Sequence, residues 1–106
     1  WAAAPESTPF VWLGLHKKDT PPAKTTFRIL CNEDAVWFGI RLEEPKMSAI
    51  RDTAIIRDSS VFDMDCFELF VDPEGKGVNY YQFAVSAANT QWDQYWIEGG
   101  NTTIGE

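Results

Sequence analysis

The sequence predicts an all-β chain folded as an antiparallel β-sandwich, and three observations carry that expectation. Five short stretches alternate apolar and polar residues with the period of two that a half-buried strand shows. These stretches are closely spaced and separated by turn-forming residues. Only Glu44 to Ser60, "EPKMSAIRDTAIIRDSS", carries a weak helical pattern, too short and too poorly capped to build on, and it reads as a long connection. At 106 residues the chain has room for one small domain, so residues 1–106 are expected to form a single one.

Taken in order, residues 1 to 24 are rich in Ala, Pro, Ser and Thr, with Phe10, Val11, Trp12, Leu13 and Leu15 as a compact apolar island. That island reads as a short strand or turn between loops. Thr25 to Asn32 alternates well, "NED" is a turn, and Ala35 to Glu43 follows as the second arm of a hairpin. In that arm Val36, Phe38, Ile40 and Leu42 share one face, and Trp37, Gly39 and Arg41 the other. Two more strands, Asp65 to Asp72 and Asn79 to Ala87, flank "PEGKG", and a fifth runs from Gln91 to Ile97. The tail "EGGNTTIGE" reads as a loop with no terminal strand. A sandwich built from so few strands has exposed edges, so the chain is expected to be part of a longer domain.

A formal charge of −7 argues against a nucleic-acid partner, whose phosphates need clustered Lys and Arg, and against anionic membrane surfaces. No apolar run approaches the roughly 20 residues that span a bilayer, so no membrane insertion is expected. Strand parity places Cys31 with Phe27 and Ile29 on an apolar face, and Cys66 opposite the apolar set Phe67, Leu69 and Val71. The thiols point to different faces, and both are read as free.

The pair of strands around "PEGKG" raises the functional question. Each has an apolar parity, expected to face the core, while the other parity carries Glu68 on the first strand and Tyr80, Gln82 and Ser86 on the second. With the turn centred on Gly75, Glu68 stands directly across from Gln82, with Ser86 farther along the same face. A carboxylate, an amide and a hydroxyl suit the hydroxyls of a sugar, and an aromatic at the rim stacks on a pyranose ring. The plain alternative is an ordinary wet sheet face.

"VFDMDCFELFVDPEGKGVNYYQFAVSAANTQWD" resembles the middle of carbohydrate-binding module family 9 domains and their relatives. The matching pattern is an aromatic, then Asp-x-x-Glu-hydrophobic-Phe-hydrophobic-Asp, a turn, and a Tyr/Gln-Phe-x-Val-Asn strand. Phe62, Asp65, Glu68, Leu69, Phe70, Val71 and Asp72 match its first part, and Tyr80, Tyr81, Gln82, Phe83, Val85 and Ser86 its second. The hairpin "TTFRILCNEDAVWFGIRLEEP" and the loop "RDSSVFDMD" agree as well, so the resemblance spans roughly Trp1 to Asp93.

The resemblance implies a sandwich of immunoglobulin-like or jelly-roll-like form, often with structural calcium, that binds an oligo- or polysaccharide without catalysis. It also implies an extracellular, periplasmic or cell-surface location and a parent polypeptide whose other domains include glycan-degrading ones. Carried over, Phe62 stacks on the sugar, and Glu68, Gln82 and Ser86 hydrogen-bond it. Trp92, just beyond the binding strand, is a candidate rim aromatic. The chain departs from the pattern in three ways. Phe62 stands where Trp is frequent, Ala84 where sugar binders carry Arg, and Ser86 where they carry Asn; the stretch supplying a second closing aromatic lies outside the sequence.

Other constellations carry less. Asp63, Asp65, Asp72 and Glu74 offer oxygen ligands to a hard cation but lack the spacing of an EF-hand loop. The carboxylate pairs Glu43 with Glu44 and Asp52 with Asp58 have no defined separation across a cleft, and no nucleophile motif accompanies them, so no enzyme is expected. His16 with Met47 or Met64 raises the haem-binding electron-transfer domains among the sandwich's relatives, against the plainer reading of an exposed loop histidine. The remaining alternative is a structural or interdomain sandwich with a decayed sugar site.

Overall fold

A computed structural model describes residues 1–14, 19–53, 56–98 and 102–104. Among the described residues the chain is all-β, with six strands in two antiparallel sheets. No α-helix occurs among the described residues; in the 44–60 connection Met47–Ala49 forms only a 3-10 turn. The chain divides into two compact units, Trp1–Met47 and Ser48–Glu106.

In the first unit, β1 (Thr25–Cys31) and β2 (Val36–Leu42) pair in register from Thr25 opposite Leu42 to Cys31 opposite Val36. Asn32 closes the turn, its side-chain Oδ1 accepting the N–H groups of Asp34 and Ala35 at 2.9 Å each. This is the local bonding that makes Asn a turn residue. The other edge of β1 is partly covered by the preceding segment. Ser7 and Phe10 donate their N–H groups to the carbonyls of Phe27 and Thr25, and Ser7 Oγ accepts the N–H of Phe27. The apolar island forms no strand among its described residues. Phe10 packs edge-on to Phe27, while Val11, Trp12 and Leu13 remain exposed. At Gly39 an added Cβ would lie 3.0 Å from the Trp1 ring, which would have to shift to admit it.

The second unit is a four-stranded meander in the order β3 (Cys66–Val71), β4 (Tyr80–Ser86), β5 (Gln91–Ile97), β6 (Thr102–Ile104). The tail expected to be a loop therefore contains a strand, with Ile104 opposite Tyr95 and Thr102 opposite Ile97. Gly and Asn in "EGGN" mask the signal in sequence, but the β-branched run Thr-Thr-Ile suits pairing on an open sheet edge.

The sidedness of β4 overturns a second expectation, while β3 keeps Phe67, Leu69 and Val71 the more enclosed. On β4 the polar parity is buried, with Gln82 8% and Ser86 5% exposed and Ala84 fully enclosed, whereas Tyr81 and Phe83 on the apolar parity are 43% and 39% exposed. Size and neighbours explain the inversion. The small Ala84 lies on an inner strand between Glu68 of β3 and Trp92 of β5, Ser86 stands opposite Cys66 and is bonded to Thr90, and Val61, in the loop before β3, is also fully buried. On the other side Tyr81 meets Tyr95 at 4.7 Å and stacks on Phe83, forming a half-open aromatic row. Both cysteines are free.

Candidate functional site

The turn between β3 and β4 sets the geometry of the site. The Asp72 carboxylate accepts N–H groups from Glu74, Gly75 and Gly77 at 3.0, 2.8 and 2.5 Å. Gly75 and Gly77 both adopt positive φ, where a side chain would be strained. The Gly77 bond above all, with those from Gly75, Glu74 and Lys76, holds the Asp72 carboxyl below the usual aspartate range against the opposing effect of desolvation. This wrapped turn centres the hairpin on Lys76, one residue beyond the expected Gly75. Glu68 therefore stands opposite Ala84, and Gln82 opposite Phe70.

The shift keeps side-chain parity and turns the Glu68–Gln82 relationship into a diagonal one. Gln82 Nε2 donates to Glu68 Oε2 at 2.7 Å, within the diagonal reach of long side chains. Gln82 Oε1 in turn accepts the indole N–H of Trp96 at 2.7 Å. Both ends of the buried amide are thus committed, as a buried amide requires. Gln82 holds a carboxylate on one side and an aromatic ring on the other.

The face around this relay is read off the register. Glu68, Ala84 and Trp92 form one row; Phe70, Gln82 and Gln94 form the next; Tyr80 and Trp96 form a third. Tyr80 and Trp96 lie with centroids 6.5 Å apart and planes at 28°, and Phe70 joins them at 6.0 Å from Tyr80. At the other end Phe62 packs on Trp92.

Phe62 is delivered by the loop before β3, which is pinned at both ends. Asp58 donates its N–H to the Gln91 carbonyl at 2.9 Å, and the Arg57 guanidinium reaches the Gln91 amide at 3.0 Å and the Asp93 carboxylate. Asp65 exchanges bonds with Arg51 and accepts the N–H of Ala87 at 2.8 Å.

The residues singled out in the sequence separate into groups. Phe62 and Trp92 come together, as do Glu68 and Gln82. Ser86 shares the face, but its buried hydroxyl accepts the Thr90 N–H at 3.2 Å and closes the β4–β5 turn. Trp96, not among the residues singled out above, is bonded into the relay, and its parity with Trp92 on β5 is the signal that finds it. Burial first, then the charges of Glu68 and Asp65, raise the Cys66 thiol above the usual cysteine value.

Among the described residues no group of three or more His, Cys, Asp or Glu is arranged to hold a metal. Asp65 and Asp72 are engaged in backbone bonds. Met64 Sδ accepts a hydrogen bond from Thr53 at 3.3 Å, Met47 is exposed, and His16 lies outside the described residues. No helix among them is long and apolar enough to cross a membrane. Family models, curated proteins and solved structures yield no match to the chain.

Proposed function

We propose that this chain is a non-catalytic carbohydrate-binding module of the family 9-like β-sandwich class, serving as an accessory domain of a secreted or surface glycan-degrading protein. One observation carries the reading. The exposed Glu68 carboxylate is held by Gln82 on a face with a ring pair at each end, Phe62 with Trp92 and Tyr80 with Trp96. A fixed carboxylate is an acceptor for two neighbouring hydroxyl donors, and aromatic rings accept the apolar face of a pyranose. A neutral polyol satisfies both, whereas an anion is repelled by Glu68 and by the net charge of −7.

A few neutral hydrogen bonds at about 1 kcal/mol each, plus one stacked ring, correspond to roughly millimolar to micromolar affinity. The test is affinity electrophoresis of the chain and of its Phe62→Ala and Glu68→Ala variants against soluble plant and host polysaccharides, with and without calcium. Retention by the parent chain alone supports the reading. Equal migration of all three in every gel refutes it.

The second reading is a structural or interdomain module. The observation favouring it is that both amide ends of Gln82 and the hydroxyl of Ser86 are spent inside the protein, leaving Glu68 as the polar contact on offer.

A further inference from the structure

The two aromatic pairs belong to opposite ends of one face. Trp92 and Trp96 have the same parity on β5 and are four residues apart, which places them ~13 Å apart along the strand at the usual rise per residue. Phe62 completes the platform at one end, and Tyr80 with Phe70 completes it at the other. Between them lie the polar groups: the Glu68 carboxylate, the Gln82 amide that steadies it, and Gln94 opposite Gln82. A pyranose ring is about the size of one aromatic side chain and cannot touch both platforms.

We infer that the ligand of this face is a linear, neutral oligosaccharide lying along β5 with one ring on each platform, and not a single terminal sugar. The inference rests on the carbohydrate-binding reading above and specifies the length and direction of the ligand. Gln82 is a positioning residue in this arrangement: through its two bonds it fixes the carboxylate at mid-face relative to the Trp96 ring.

The test is calorimetric titration of the full chain with the gluco-, xylo- and chito-series, each from monosaccharide to tetrasaccharide. Affinity is expected to rise about tenfold or more between the monosaccharide and the tetrasaccharide of the series that binds, the gain from engaging a second stacked ring. Tyr80→Ala removes part of the far platform, the ring beside Trp96, and leaves in place the groups that form the Glu68–Gln82 and Gln82–Trp96 hydrogen bonds. It should lower tetrasaccharide affinity by a larger factor than monosaccharide affinity, and circular dichroism checks that the sheet persists. Equal affinities across a binding series, or an equal loss for both lengths in Tyr80→Ala, overturn the extended-ligand inference and leave the carbohydrate reading standing. Absence of heat with every series overturns both.

Discussion

Phe62 packs edge-on against Trp92, ring centroids 4.9 Å apart and planes at 77°, so a loop residue and a strand residue share one aromatic platform. Such a T-shaped pair contributes about 0.5–1.5 kcal/mol beyond the area it buries. The loop is thereby tied to the sheet by a side chain that is itself 44% exposed. The same ring that anchors the loop remains open to a ligand.

The Gln82 relay makes a prediction about coupling. Gln82→Ala removes a buried amide and leaves the Trp96 indole N–H without its partner, at a cost of about 1–3 kcal/mol. Trp96→Phe removes the same bond from the other side. In urea denaturation the two substitutions together should destabilise by less than the sum of the singles. Strict additivity would show that the bond carries no energy of its own.

Ala84 stands fully enclosed between Glu68 and Trp92. Ala84→Leu should overpack the central strand and lower stability by about 1–3 kcal/mol. Ala87→Leu, on an exposed position after the strand, should stay within about 0.5 kcal/mol of the parent. Arginine at position 84 would meet the same obstruction, which is why sequence pattern alone does not restore that side chain here.

Asp72 gives the hairpin an acid dependence. Its folded carboxyl titrates below the ordinary aspartate value of about 3.9, so the stabilisation is complete above that value and is lost as pH falls through the folded pKa. The stability difference between the parent and Asp72→Asn should therefore be largest near neutrality and shrink on acidification. Thermal melts from pH 7 downward measure it, and a difference that grows toward acid contradicts the assignment.

The thiols differ in reactivity. Cys31 is exposed, while burial and the flanking carboxylates of Glu68 and Asp65 disfavour the Cys66 thiolate. Timed iodoacetamide labelling read by peptide mass spectrometry should modify Cys31 first. Glu68→Gln should quicken labelling of Cys66 by removing one charge, and an unchanged rate would leave burial as the whole cause.

The strands were legible because each has a clear period of two between turn residues: the bounds expected for β1 through β5 fall within one residue of those observed. What sequence left open was register and enclosure. Shifting the hairpin centre from Gly75 to Lys76 alters no alternation of apolar and polar residues, since side-chain parity is kept; only the three N–H groups gathered by Asp72 decide it. Likewise, alternation separates Gln82 from Phe83 but does not say which side neighbouring side chains enclose, and the small Ala84 and Ser86 lie on the side with Glu68, Phe70, Trp92 and Trp96. The Thr102–Ile104 strand was hidden by its length of three residues.

Every paired strand in this chain is the next one along it, β1 with β2 and then β3 through β6 in turn. Each sheet pairing therefore closes only a short loop, which keeps the entropic cost of forming the two sheets small. The β3–β4 hairpin closes through the Asp72 turn, and β5 pairs with β4 next in sequence. Glu68, Gln82 and Trp96 sit on three strands that follow one another in sequence, so the relay needs no element from a distant part of the chain.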